Sequence, residues 1–392
     1  MKVCMLTWEY PPRIIGGIAR HVYWICRSMA KAGVEVHVVT LDFPNTPEYE
    51  VDGSLHIHRV KVEVGAPSFH LWVMLFNHFF EKKVGRLVDK FGPFDVIHAH
   101  DWLTIPCGIV LKHLLSKPLV VTFHSTEVGR SAGLHSPESH MVHGLEWWGS
   151  FEASYVITVS EYMKNEVVRL YNLPLDKVHV ISNGIDIKTF DVVVNRDAVR
   201  ARLGISPDER IILAVGRLTW QKGFDDLIKA FSKVLTIHPN SRLVIVGDGY
   251  MRGELEKLAW DLGVGKKVIF TGFINDQELI EIFKSSDVLV VSSRYEPFGI
   301  VALEGMVNGL PVVVTNVGGL AEIVEHESDG VWVYPNNPDS IAWGIDRVLS
   351  DQKFAHKLIL NGKDKVKKYD WSLIAQRIIH VYESSKQVVK FE

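Results

Sequence analysis

The stretch Glu296-Pro297-Phe298-Gly299-Ile300-Val301-Ala302-Leu303-Glu304 carries two carboxylates with seven residues between them. A carboxylate accepts hydrogen bonds from neutral hydroxyls and repels phosphate. The stretch lies between two apolar runs, Val288 to Val291 and Pro311 to Thr315, that read as short buried strands. Pro297 lacks a backbone donor and sets a tight turn. Gly299 removes the side chain where a ligand must approach the backbone. A helix starting near Ile300 points its first N–H groups back at the loop, which suits an anion such as a diphosphate. Glu296 then precedes the helix and Glu304 lies in its second turn. The pattern suits hydroxyl-rich groups on either side of a phosphate. A capped helix with two solvated glutamates is the alternative, because a short motif alone is a hypothesis.

A second set of groups converges on the same edge. Ala214-Val215-Gly216-Arg217-Leu218-Thr219-Trp220-Gln221-Lys222-Gly223 ends the strand from Ile211 to Gly216 and delivers Arg217 and Lys222 to its carboxyl end. A reaction that expels a nucleoside diphosphate builds negative charge on the leaving oxygen, and a fixed Arg and Lys stabilise that charge without a metal. Two surface cations are the bland reading. Gly247-Asp248-Gly249 follows the next strand, and Gly272-Phe273-Ile274 the one after, where its backbone could edge a flat base.

These loops need a scaffold. From Ile211 onward, apolar strand-like runs alternate with helical spacing, which predicts a parallel α/β domain. Helices are expected over 223–236, 250–262, 277–284 and 320–324. The first 184 residues repeat the plan. Val3 to Trp8 reads as a buried parallel strand. The loop with Gly16-Gly17 and a helix over 18–31 follow, then a strand over 34–41. No GxGxxG is present, which argues against a nicotinamide dinucleotide fold. Gly16-Gly17 before a helix could admit a phosphate or be a flexible turn. A hairpin is expected around Asp52-Gly53 and a helix over 71–91. Four further strands end at Asp101, His124, Ser160 and Asn183, and ligands of open α/β sheets bind beyond such ends. Residues 185–210 read as a linker with a short helix. The expected domains are 1–186 and 187–370, with a terminal helix in 371–392 packing back on the first. Two facing Rossmann-like domains would leave a cleft, a common small-molecule site.

Composition narrows the classes. At 392 residues two domains are expected. A formal net charge of -3 and the lack of a polybasic run argue against nucleic acid and a membrane surface. Leu71 to Phe80 is too short to span a bilayer. No signal-peptide pattern opens the chain. Cys4, Cys26 and Cys107 are far apart with no His cluster beside them. Disulfides and structural zinc are therefore not expected, and a reducing cytoplasm fits.

Taken together, Gly16-Gly17, His98-Ala99-His100-Asp101-Trp102, Phe123-His124, Val159-Ser160, Asn183-Gly184-Ile185-Asp186, Gly216-Arg217, Lys222-Gly223 and Glu296 with Glu304 resemble a family. It is the retaining, nucleotide-sugar-dependent glycosyltransferases with two facing Rossmann-like domains (GT-B type), which include glycogen synthases, sucrose synthases and phosphatidylinositol mannosyltransferases. The resemblance covers nearly the whole chain and implies roles. Glu304 holds the donor ribose. Glu296 contacts the transferred sugar and supports the oxocarbenium ion. The backbone of Gly299, Ile300 and Val301 beside Phe298, with Phe273 near the base, completes the donor site. Arg217 and Lys222 neutralise the diphosphate, and Gly16 and Gly17 lie against the phosphates. His124 touches the transferred sugar; Asp101, His98 and Trp102 serve the acceptor. Retention by front-face attack needs no second carboxylate as nucleophile, unlike retaining glycosidases. No cofactor and no metal are expected, since Asp225-Asp226 falls on a helix rather than in a DxD binding context.

His98 to Trp102 is similar to a segment of glycogen and starch synthases. His124 to Arg130, with Glu146-Trp147-Trp148, resembles a glycogen-synthase-like subgroup. The implied partners are a UDP- or ADP-glucose donor and an α-glucan acceptor. No nucleic acid and no integral membrane are expected, and self-association as a homo-oligomer is left open. A lipid-linked, inositol-phosphate or small-sugar acceptor, and a non-catalytic sugar-nucleotide sensor, are the competing readings.

Overall fold

A computed structural model describes residues 1–388. The chain divides into two compact units, one of Met1–Gly184 completed by the segment from Trp371, the other of Ile185–Asp370.

The first unit is built on an eight-stranded sheet: β1 (Lys2–Leu6), β2 (Glu35–Leu41), β3 (Tyr49–Asp52), β4 (Leu55–Val60), β5 (Val96–His100), β6 (Leu119–Phe123), β7 (Tyr155–Thr158) and β8 (Val178–Val180), in the order β3-β4-β2-β1-β5-β6-β7-β8. Only β3 and β4 pair antiparallel, across the Gly53 turn. The continuous apolar strands are buried because helices cover the sheet, as parallel strands require. The helix Gly17–Lys31 turns Val22, Ile25, Cys26 and Met29 inward. The terminal helix Trp371–Val388 joins the same core through Ile374, Ile378 and Val381.

Asp101 and Trp102, read from the sequence as a strand end, instead open the helix Asp101–Leu115. Asp101 makes the turn into it at φ 54°. The helix over 71–91 begins earlier, at Phe69, because Ser68 caps it through the N–H of Leu71 at 3.3 Å.

The second unit carries a parallel six-stranded sheet: β9 (Arg210–Val215), β10 (Ser241–Val246), β11 (Val268–Gly272), β12 (Val288–Val291), β13 (Val312–Thr315) and β14 (Val331–Val333), in the order β11-β10-β9-β12-β13-β14. The strand order reverses between β9 and β12. That reversal is the topological switch point, where such sheets open a crevice for ligands. β14 and the helices Pro338–Ser350 and Gln352–Lys365 were not expected from the sequence.

The helix that begins at Ile300 packs tightly on the sheet through Gly305. A Cβ there would lie 2.4 Å from Leu289 Cδ2 and 3.0 Å from Val312 Cγ1. Both contacts are in buried strands that cannot yield, so Gly305→Ala should destabilise by about 1–3 kcal/mol, the usual cost of overpacking. Denaturant titration checks this, and an unchanged midpoint would refute it.

Candidate active site

The two strands that flank the switch point of the second unit deliver the central pair. After β9 the chain turns at Gly216 and passes through exposed Arg217. It then closes as a single 3-10 turn, Trp220–Lys222, ended by Gly223 at φ 63°. A Cβ on Gly223 would lie 2.2 Å from the carbonyl oxygen of Ser292, so only glycine lets this turn touch the loop after β12. Hydrogen bonds fasten the contact. The Ser292 hydroxyl donates to the Lys222 carbonyl at 2.9 Å, and the Arg294 N–H donates to the Gln221 carbonyl at 2.7 Å. Lys222 Nζ is thereby set 2.6 Å from Glu296 Oε2, which also accepts from Ser293 Oγ at 3.1 Å. Among the described residues no side chain pairs with the Arg217 guanidinium.

Arg294 was missed in the sequence. Its guanidinium forks onto Asp225 at 2.8 Å through both terminal nitrogens, reaches Asp226 at 2.5 Å and donates to the Trp220 carbonyl at 2.9 Å. Its Nε donates to Asn336 Oδ1 at 2.6 Å. Asp225-Asp226 therefore has a structural role, holding the arginine that ties the Lys222 turn to the Glu296 loop. The signal was present as an acidic pair in the first turn of a helix, but its partner lies 68 residues away.

Glu296 leads into the helix Ile300–Val307 through Gly299, which stands at φ 106°. A Cβ on Gly299 would lie 2.5 Å from Leu320 Cδ2. The Gly319 N–H donates to the Glu296 carbonyl at 2.9 Å, and a Cβ on Gly319 would strike Phe298 Cα at 2.5 Å. The loop is thus pressed between fixed neighbours. Glu304 is buried in the helix's second turn. Phe298 is buried and meets Tyr369 edge-on, with ring centroids 6.1 Å apart. Phe273 stands exposed just past β11.

In the first unit the switch point falls between β1 and β5. After β1, the Glu9 carboxylate accepts from the N–H of Ile15 at 2.6 Å and of Gly16 at 2.9 Å. These amides precede the helix Gly17–Lys31, where a phosphate was one of two expectations. In this structure the protein's own carboxylate fills that anion position. After β5 and β6 come Asp101 and His124, joined by the His124 N–H donating to Asp101 Oδ1 at 2.7 Å. Burial raises the Asp101 carboxyl to about 6, and lowers the His124 imidazole to about 3. His124 stacks on His100 and lies edge-on to His21, whose Nδ1 is 2.7 Å from Asn183 Oδ1. Trp102 stacks on His70.

His98 is fully buried, with Nδ1 2.6 Å from the Tyr382 hydroxyl and Nε2 2.7 Å from Thr122 Oγ1. Nδ1 thus joins the sheet to the terminal helix and Nε2 joins β5 to β6, so both nitrogens are engaged and its expected acceptor role is not carried forward. Ser160 likewise caps the helix Glu161–Tyr171 through the N–H of Met163 at 3.1 Å.

Burial also gives this region a pH signature. His21, His98, His100 and His124 are all lowered by desolvation, while Asp101 and Glu146 are raised to about 6 and about 7 by the same cause. Between pH 6.5 and 4.5 the unfolded chain binds a proton on each of these four imidazoles that the native state refuses. The two carboxyls oppose this, since they stay protonated in the native state. The imidazoles outnumber the carboxyls, so stability should fall as pH drops from 6.5 to 4.5. A urea midpoint higher at pH 5 than at pH 7 would contradict this balance.

The model described as "Glycosyl transferases group 1" matches residues 195–365, and the one described as "Glycosyltransferase Family 4" matches residues 15–189. An uncharacterized glycosyltransferase of Methanocaldococcus jannaschii is 47% identical over 394 residues, covering 99% of this chain and 100% of that protein. A glycogen synthase of Mycobacterium tuberculosis is 33% identical, with 99% of this chain and 95% of that protein covered. Among solved structures, a sucrose-phosphate synthase from Thermosynechococcus elongatus superposes with a TM-score of 0.83 at 26% identity, covering 98% of both chains. The chain belongs to the group 1 glycosyltransferases, with the two Rossmann-like parallel-sheet domains of the GT-B class. No helix among the described residues is long and apolar enough to cross a membrane.

Proposed function

We propose that this chain is a retaining hexosyltransferase that moves glucose from UDP- or ADP-glucose to a hydroxyl of an α-glucan. The observation that carries the reading is the Lys222–Glu296 pair at 2.6 Å, set at the switch point beside the start of a helix that buries Glu304 in its second turn.

The roles follow from charge. The backbone N–H groups of Gly299, Ile300 and Val301 receive phosphate and sugar oxygens. Glu304 accepts from the ribose hydroxyls. Arg217 and Lys222 take up the charge that grows on the diphosphate as the C1–O bond breaks. Glu296 accepts from hydroxyls of the transferred glucose and lies near the developing positive charge. His124 and Asp101 of the first unit act on the glucosyl group and the acceptor. Gly16 and Gly17 approach the phosphates once a donor competes with Glu9. The acceptor oxygen attacks C1 from the face that the diphosphate leaves, and its proton passes to the departing phosphate oxygen. No residue is required as a covalent nucleophile.

The glycogen synthase relative and the similarity of His98 to Trp102 to glucan synthases support glucose and a glucan. The three buried, unpaired cysteines support a cytoplasmic location. A thermal-stabilisation screen of nucleotide sugars, followed by product analysis on malto-oligosaccharides, tests the assignment. Stabilisation by UDP- or ADP-glucose and a ladder of longer glucans are expected. Transfer only to a lipid-linked or phosphorylated small-sugar acceptor would overturn the glucan part, and stabilisation without any transfer would favour a sensor.

A further inference from the structure

At the start of its strands, opposite the carboxyl edge that carries the candidate site, the first sheet gathers a separate set of side chains. β2 opens with Glu35-Val36-His37, and β4 contains His56-Ile57-His58. Alternation along a strand puts Glu35 with His37, and His56 with His58, on one face each. The parallel register sets His37 beside His56, so the two faces coincide. Neither strand alone shows this cluster.

One ligating atom from each of Glu35, His37 and His56 lies within 4.8 Å of the others. His37 Nε2 is 3.0 Å from Glu35 Oε1. The other nitrogen of each imidazole is already held: His37 Nδ1 is 3.1 Å from His58 Nε2, and His56 Nδ1 is 2.8 Å from the Tyr49 hydroxyl. The His37 and His56 rings stack at 4.4 Å, and Phe91 and Phe94 close against His37 at 4.8 and 5.3 Å. The Glu35 side chain is 37% exposed, which leaves the group open to solvent on one side.

We propose that Glu35, His37 and His56 form a binding site for a divalent transition-metal ion of the zinc class. Two imidazoles and a carboxylate supply three ligands of a tetrahedral site, and water fills the open position. The ion takes the lone pair of His37 Nε2. The ring proton that Nε2 shares with Glu35 in the metal-free state passes to Nδ1 by exchange with solvent, and His58 takes its Nδ1–H tautomer. His37 then donates Nδ1–H to His58 Nε2, and Tyr49 holds His56 Nδ1, so that His56 binds through Nε2. Outer partners of this kind orient metal-ligating imidazoles. Lys2 is the internal competitor, with Nζ 3.3 Å from Glu35 Oε1. The ion displaces it from the carboxylate, while its bond to the Phe91 carbonyl remains available. A bound ion would staple β2 to β4.

The test uses the tag-free full chain, stripped with chelator and titrated calorimetrically with Zn²⁺ alone, then with Co²⁺ for its visible spectrum. One ion per chain, a tetrahedral Co²⁺ spectrum and a raised thermal midpoint are expected. Tyr49→Phe should weaken binding by about 10-fold, within the roughly 10–100-fold range for outer partners, and His56→Gln, which removes a ligand, by about 100-fold or more. Lys2→Gln should tighten it. Glucosyl transfer by His56→Gln should match the wild type. Should His56→Gln not fold, Glu35→Gln at the exposed ligand replaces it. Absence of binding to the folded wild type would overturn the site. So would binding that survives His56→Gln but is lost in His124→Ala, which would move the ion to the His21, His100 and His124 group.

Discussion

Lys222→Ala should lower glucosyl transfer by about 10²–10³-fold in kcat and leave the fold intact. Removing one preorganised group that meets transition-state charge costs about this much. The loss should fall on kcat more than on KM, because the charge on the diphosphate grows as the sugar departs. The fold should survive because the Lys222 turn is held by its backbone. Ser292 and Gly223 make the contact, and the lysine side chain is 24% exposed. The substitution also leaves Glu296 with Ser293 as its remaining partner in the pair's immediate surroundings. Part of the loss therefore reflects a looser Glu296, and Lys222→Ala and Glu296→Ala should combine less than additively. Steady-state kinetics on both single variants and the double variant would show this. Additive losses would mean that the two side chains act independently.

Arg294→Ala should cost about 3 kcal/mol of stability and depress transfer as well. The Arg294 and Asp226 side chains are 8% and 7% exposed, so the substitution strands the buried Asp226 carboxylate. Breaking a buried pair from one side costs roughly 3–5 kcal/mol. The low end applies here because Lys229 lies 3.4 Å from Asp226 and 3.5 Å from Asp225 and takes up part of the charge. Arg294 touches none of the groups proposed to react. It acts by holding the Trp220 carbonyl while its own N–H holds the Gln221 carbonyl. Arg294→Lys should therefore rescue little, since a lysine cannot fork onto Asp225 while also reaching Asp226, Asn336 and Trp220. A thermal midpoint equal to wild type in Arg294→Ala would refute the clamp. Lowered stability with normal kcat would separate the clamp from the placement of Lys222.

What the sequence disclosed follows the range of the interactions. The Glu296 loop, its glycine and the helix to Glu304 are local, and they were legible as a strand, a breaker and a helical run. Arg217 and Lys222 were legible because a parallel sheet sends every loop after a strand to one edge. The Arg294 clamp was not, because an acidic pair in a first helical turn also reads as ordinary capping of the helix dipole. His98 shows the opposite error. It sits in the segment that resembles glucan synthases, yet its ring is committed to Tyr382, 284 residues on, a pairing that the expected docking of the terminal helix does not specify residue by residue. The Glu9 carboxylate at the Ile15 and Gly16 amides was hidden for a similar reason, since a glycine pair before a helix is equally suited to a free anion and to an internal one. The histidines of β2 and β4 needed the strand register before they could be seen as neighbours.

Retaining transfer of glucose at the site built by Lys222 and Glu296 is the central claim. Proton NMR of the first product formed from UDP- or ADP-glucose and a malto-oligosaccharide tests it most directly, because the anomeric coupling of the new linkage records the face of attack. An α-linked glucosyl residue is expected with wild-type protein, and loss of that signal with Lys222→Ala. A β-linked product, or an α-linked product formed at the same rate by the variant, would contradict it.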